Sequence, residues 1–230
     1  MSEAAVKRSS GRGRFITFEG GEGSGKSTHI KTLAERLAAA KLRIIVTREP
    51  GGSPGAEIIR HLVLSGMGKL LGPEAETLLF AAARDDHVRT VIEPALNQGI
   101  WVLCDRFSDS TRVYQGSLGR VAPEILDAMQ RVTIGDLKPD LTVILDVPVE
   151  IGLQRAAARR GTDAADRFEA EDIRFHQQLR DAYRRIAAAE PQRCVLIDTT
   201  AEPAIVAAHI WSALRDRFFA AGVSHLAGSA

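Results

Sequence analysis

The residues best suited to chemistry form one unbroken string. Gly20-Gly21-Glu22-Gly23-Ser24-Gly25-Lys26-Ser27 has the spacing GxxxxGK[ST], with Thr28 following. Gly21 and Gly23 keep the loop bare of side chains. A bare backbone approaches phosphate closely and presents its N–H groups as a nest. A helix opening at the end of the string adds the positive end of its dipole. Lys26 suits the outer phosphates of a nucleoside triphosphate, and the Ser27 hydroxyl suits Mg²⁺. All nine residues from Gly20 to Thr28 are therefore candidates for binding ATP. The string is silent on the reaction that follows.

Two other short strings narrow that reaction. Asp105-Arg106 follows an apolar run, so Asp105 sits at a strand end where it can face a magnesium held by Ser27. Arg106 beside it offers a planar fork for phosphate. Alone, the two residues would read as a strand-end ion pair; beside a phosphate cradle they read as catalytic. Arg48 ends another run, and Pro50 with Gly51 and Gly52 shapes the loop after it. Two arginines converging on a dianion give charge-assisted hydrogen bonds of roughly 1.5–3 kcal/mol each. An anion site separate from the cradle implies a second, phosphorylated substrate.

These residues need a scaffold. Short aliphatic runs at 15–18, 43–47, 100–104, 141–146 and 194–198 lack polar alternation, as strands buried on both faces do. Helical periodicity fills 27–40, 55–64, 74–98, 123–134, 149–159, 169–189 and 203–220. The alternation predicts an α/β protein of three layers, a P-loop NTPase fold with a five-stranded parallel sheet and helices on both faces. In such sheets ligands bind beyond the carboxyl ends of the strands. One domain over 14–220 is expected, with a disordered basic tail at 1–13 and a second tail at 221–230.

Composition excludes several classes. A net charge of +1 on 230 residues gives no bulk field for nucleic acid. No apolar run approaches the ~20 residues that span a bilayer, and no signal-type segment opens the chain, so a cytoplasmic location is expected. The two cysteines, Cys104 and Cys194, lie in apolar runs and read as buried strand residues rather than as a disulfide or metal site.

The strings FEGGEGSGKST, TREPGGS, LLFAAAR, DRFSDSTRVYQG and KPDLTVILDV, in that order over 15–219, resemble those of bacterial thymidylate kinases. Phe80 and Arg84 share a helix face; without the resemblance Phe80 would read as core, and with it Phe80 stacks on a pyrimidine while Arg84 donates to its exocyclic oxygen. The resemblance further implies that Ser110 and Thr111 offer hydroxyls to base or phosphate. It places the Tyr114 ring against the sugar, Gln115 at the pocket wall, and the Glu22 carboxylate toward the acceptor nucleotide. It implies ATP with Mg²⁺ as phosphoryl donor, dTMP as acceptor, and a homodimer formed through 74–98 and 123–134.

The cradle carries no arginine, and the resemblance implies compensating arginines in a lid at about 155–168, which holds Arg155, Arg159, Arg160 and Arg167. Arg159 or Arg160 is the favoured catalytic residue, against the alternative of a solvated basic helix end complementing its dipole. The rival readings are another nucleoside-monophosphate or deoxynucleoside kinase, and a P-loop ATPase or GTPase switch. The guanine-reading string N-K-x-D is absent: Asn97 is followed by Gln98.

Overall fold

A computed structural model of the chain describes residues 11–161 and 168–219. Its centre is a parallel sheet in the order β2-β3-β1-β4-β5, formed by Ile44–Arg48, Trp101–Asp105, Phe15–Gly20, Leu141–Asp146 and Cys194–Asp198. The five predicted strands are thus all present. β1, β3 and β4, in the middle, are buried along nearly their whole length. The edge strands differ from the expectation of burial on both faces: Val46 of β2 and Leu196 of β5 are exposed. An edge strand is covered less completely by the helices that cross the sheet.

Helices cover both faces. α1 (Lys26–Ala39) and α9 (Pro203–Phe218) pack Ile30, Leu33, Leu37, Val206, Ile210 and Leu214 onto Ile16, Phe18, Leu103 and Val143. On the other face, Val88, Ile92 and Leu96 meet Phe15, Val102 and Cys104. Beside them α8 (Ile173–Ala189) sets Leu179, Tyr183 and Ile186 against Ile144 and Cys194. Each fully buried Leu, Ile or Phe contributes about 1.5–3 kcal/mol, which anchors the strand ends that carry the site. α2 spans Pro54–Leu64.

The predicted helix over 74–98 is three pieces: α3 (Pro73–His87), a π-helical turn at Val88–Ile92, and α4 (Glu93–Asn97). Pro94 lacks the N–H that a continuous α-ladder requires. α5 (Ser108–Thr111) leads into a second π-helical turn, Arg112–Leu118, a segment that sequence periodicity did not reveal. α6 is Pro123–Thr133 and α7 is Val149–Arg160. The helix predicted from 169 begins only at Ile173, where the Asp172 carboxylate accepts from the Phe175 N–H at 2.8 Å and caps it. Cys104 and Cys194 are free and buried on β3 and β5, as expected. No helix among the described residues is long and apolar enough to cross a membrane. Residues 1–10 of the expected tail at 1–13, residue 220 with the expected tail at 221–230, and 162–167 of the expected lid with Arg167 lie outside the described residues.

Candidate active site

Parallel pairing fixes where the chemistry gathers. Asp105 of β3 is in register with Phe18 of β1 on one side and Arg48 of β2 on the other. The carboxyl ends of three strands therefore open onto one cleft of about 300 Å³. Its near wall is the loop from Glu22 to Thr28; its far wall carries Arg48, Pro50, Phe80, Arg84, Arg106, Ser110, Thr111, Tyr114 and Gln115. Asp105 and Arg159 also line it. Gly20 and Gly21 line a smaller void behind the loop, and Arg160 does not line the cleft.

The loop is shaped by what glycine permits. Gly23 has φ 64°, and a Cβ there would run into the Gly152 carbonyl oxygen of α7, so the loop lies directly on that helix. The buried Ser24 hydroxyl donates to Gly21 O at 2.9 Å and closes the turn. Lys26 Nζ donates to Gly20 O at 3.1 Å and Gly21 O at 2.9 Å, curled along the inside of the loop. Burial pulls the Lys26 ammonium below its ordinary pKa and Arg106 pushes the same way, against Glu22, Asp105 and Glu19. Ser27 Oγ donates to Asp105 Oδ2 at 3.0 Å. A hydroxyl and a single carboxylate side by side form an all-oxygen pair of the kind that Mg²⁺ uses when phosphates and water complete its shell.

Arg106 is the best-connected residue of the far wall. Its backbone has φ 68°, a left-handed conformation costing about 1–3 kcal/mol for a side-chain-bearing residue. Its N–H donates to Phe18 O at 2.9 Å, which holds that turn against β1. The guanidinium then reaches back over the loop, donating to Glu22 Oε1 at 2.7 Å, Gly20 O at 3.1 Å and the Tyr183 hydroxyl at 3.1 Å. Burial raises the Glu22 carboxyl, yet Arg106, Lys26, Arg159 and His176 together bring it below its ordinary pKa. Glu22, expected to point toward the acceptor nucleotide, is thus paired with the arginine opposite.

The other arginines are paired too. Arg84 donates through Nε to Glu49 Oε2 at 2.7 Å, through NH1 to Thr111 Oγ1 at 3.0 Å and through NH2 to Phe107 O at 3.1 Å. Arg48 donates to Glu57 Oε1 at 2.9 Å on the exposed rim. The Tyr114 ring meets Phe168 edge-on at 5.0 Å, with the Arg106 guanidinium 5.2 Å from its centroid. Arg159 and Arg160 both pair with Glu169, at 3.0 and 2.8 Å, but only Arg159 borders the cleft. Arg155 points elsewhere, donating to Thr199 O at 2.9 Å.

Sequence reasoning missed the residues beneath this wall. Glu19, fully buried at the end of β1, accepts from Phe107 N at 2.8 Å, Ser110 Oγ at 2.6 Å and the Tyr183 hydroxyl at 3.0 Å. Burial, then the nearby Asp109, raises its pKa to about 7, against Ser110, Arg106 and the Phe107 N–H. A carboxyl inside an apolar run was the available signal, because a buried charge needs partners. Glu49, His87 and Glu57 carried no comparable mark.

The chain is similar to known proteins along most of its length. A family model described as thymidylate kinase matches residues 18–210. A thymidylate kinase of Bradyrhizobium diazoefficiens is 78% identical over 217 residues, covering 94% of this chain and 95% of the relative. One of Nitrobacter winogradskyi is 75% identical over 230 residues, the full length of both. The crystal structure of thymidylate kinase from Ehrlichia chaffeensis superposes with a TM-score of 0.71 at 32% identity, covering 88% of this chain and 99% of that one. With a family match running through the sheet from β1 to α9, and relatives this similar from end to end, the chain belongs to the thymidylate kinase family.

Proposed function

We propose that this chain transfers the γ-phosphoryl group of ATP directly to the 5′-phosphate of dTMP, giving dTDP and ADP. The observation that carries the reading is a single cleft with a phosphate loop on one wall and guanidinium groups on the other. Residues 20–28 bind the donor. Arg48 and Arg106 hold the acceptor phosphate, with Pro50 setting the approach of Arg48. Phe80 stacks on the thymine, Arg84 and Thr111 meet its polar edge, and Ser110 is the hydroxyl beside Arg106. Tyr114 and Gln115 close the sugar side, and Glu22 tethers Arg106 until the acceptor arrives.

Transfer of this kind needs alignment and charge neutralisation rather than covalent help from the protein. Lys26 neutralises charge on the moving phosphoryl group. Arg159 does so from the far end of α7, while Arg160 holds Glu169 and so steadies that helix end. Ser27 and Asp105 would hold Mg²⁺, whose chemistry when bound is to neutralise and orient the donor phosphates. The acceptor phosphate is ionised at neutral pH, so no general base is required. The lid about 155–168 belongs to this proposal through its described ends, and so does the single domain of 14–220. A homodimer through α3 and α6 is also proposed. Its support is that α6 buries none of its residues while Val132 on it and Leu78 on α3 are exposed.

Measuring ADP release from ATP with and without dTMP tests the reading. Release that depends strictly on dTMP, with dTDP formed in equal amount, is expected; equal release without dTMP would make the protein an ATPase instead. Preference for dTMP over dUMP rests on one methyl group worth about 1–3 kcal/mol, so dUMP is expected to be a weak acceptor.

A further inference from the structure

We propose that Glu49 and His87 are positioning residues for choice of the acceptor base, acting by locking the Arg84 guanidinium in one orientation. The inference rests on the dTMP reading above. Its ground is a continuous chain of side chains that starts behind the far wall at Thr47 and His87 and reaches the cleft at Glu49 and Arg84. Thr47 Oγ1 lies 2.6 Å from His87 Nε2, His87 Nδ1 lies 3.1 Å from Glu49 Oε1, and Glu49 Oε2 accepts from Arg84 Nε at 2.7 Å. Arg84 continues the chain to Thr111 Oγ1 and Phe107 O. His87 is wholly buried and Glu49 and Arg84 nearly so. Beside the Arg84 guanidinium the Glu49 carboxylate accepts, so His87 Nδ1 is the donor of that bond.

A buried ion pair is poorly explained by stability. Removing both charges from water costs several kcal/mol per ion, and an apolar pair of the same size often serves as well. What such a pair supplies is direction. An arginine side chain carries much rotamer freedom, which Glu49 removes before substrate arrives. The guanidinium has donors and no acceptor. Thymine presents a carbonyl oxygen at the base-edge position where cytosine presents an amino donor. A fixed Arg84 therefore favours the first and opposes the second, whereas a free one could turn aside. Glu49 prevents that turn, His87 prevents Glu49 from rotating, and the Thr47 hydroxyl orients His87. Gly52 (φ 87°) leaves the room that the imidazole needs, since a Cβ there would collide with His87 and with Thr47 Oγ1.

Steady-state kinetics with dTMP and dCMP as competing acceptors test this in the full-length chain. Glu49→Gln should raise KM for dTMP by about ten- to a hundredfold, lower the dTMP:dCMP ratio of kcat/KM by at least about tenfold, and leave KM for ATP within about twofold. Added to Arg84→Met, it should change neither acceptor parameter further, because its effect passes through Arg84. An equal rise in KM for ATP, an unchanged dTMP:dCMP ratio, or additive effects in the double variant would overturn the proposal. If Glu49→Gln does not fold, Thr47→Val removes only the outermost hydroxyl. It should shift KM for dTMP and the acceptor ratio the same way, by about two- to fivefold, and no shift in either overturns the proposal. A wild-type chain indifferent to dTMP sinks the function reading and this inference together. A dTMP-dependent wild type that Glu49→Gln matches sinks this inference alone.

Discussion

The two walls of the cleft bind anions by different means. The donor wall is backbone: a loop whose glycines lie against α7, with one lysine curled along it. The acceptor wall is side chain, and three of its guanidinium groups lean on a carboxylate: Arg106 on Glu22, Arg84 on Glu49, Arg48 on Glu57. Backbone N–H groups are positioned by the fold and need no partner to stay in place. Long flexible side chains need an anchor, and a carboxylate anchor must yield when a phosphate competes for the same donors. The donor wall is thus preformed, while the acceptor wall is preloaded with internal anions. Arg106 crosses between them, donating to Glu22 Oε1 and to Gly20 O of the loop.

The comparison breaks first at Lys26, the only side chain through which the donor wall supplies a full positive charge. Lys26→Met should lower kcat by about 10²–10³-fold, the usual cost of one charge-stabilising donor. It should move the thermal midpoint by less than about 4 °C, since burial already disfavours the ammonium. Turnover and thermal unfolding on one preparation check both. Turnover within tenfold of wild type would mean that the backbone nest alone neutralises the phosphates.

This asymmetry also decides what was legible beforehand. The donor wall is contiguous in sequence, so spacing alone disclosed it, from Gly20 to Thr28. The parallel sheet was legible because β1, β3 and β4 are buried on both faces and carry unbroken aliphatic runs. Of the acceptor wall, Arg48, Pro50 and Arg106 were legible from their places after apolar runs, and the rest only through resemblance, because the members come from three separate segments and Phe80 or Thr111 alone resembles any core or loop residue. Their anchors escaped notice for a related reason. Glu49 lies 35 residues from Arg84 and Glu22 lies 84 from Arg106, separations at which no local pattern operates. The π-helical turn at Val88–Ile92 was invisible as well, because helical periodicity cannot tell a one-residue widening from an ordinary helix.

Glu19 sharpens the comparison, since its buried carboxyl sits beneath both walls and holds Ser110 and Tyr183 beneath Arg106. Its pKa is raised in the folded chain to about 7 from an ordinary 4.5. Between those values the native state keeps a proton that the unfolded state has lost, so stability falls as pH rises. The contribution is complete below about 4.5 and lost through about 7, and it amounts to on the order of 3 kcal/mol. Glutamine does not titrate. The thermal midpoint of wild type minus that of Glu19→Gln should therefore decrease by several degrees from pH 4.5 to 8. A flat difference curve would mean that the carboxyl is ionised throughout and that its donors, the Phe107 and Ser110 N–H groups and the Ser110 and Tyr183 hydroxyls, offset its burial.

Arg48 gives the smallest effect and the finest test of the acceptor wall. Its pair with Glu57 is exposed, with 54% and 43% of the two side chains accessible. Exposed pairs contribute less than about 1 kcal/mol, so Arg48→Ala should shift the thermal midpoint by less than about 3 °C. Glu57 stays in place without it, because its carboxylate also accepts from the Gly52 N–H at 2.9 Å. If Arg48 moves from Glu57 to the acceptor phosphate, the same substitution removes a charge-assisted hydrogen bond and raises KM for dTMP about tenfold, with KM for ATP unchanged. Added salt should narrow that gap, because a rim charge is screened where a buried one is not. An unchanged KM for dTMP would leave Arg106 as the one guanidinium of this pair on the acceptor phosphate, and Arg48 as a rim residue whose partner is Glu57 alone.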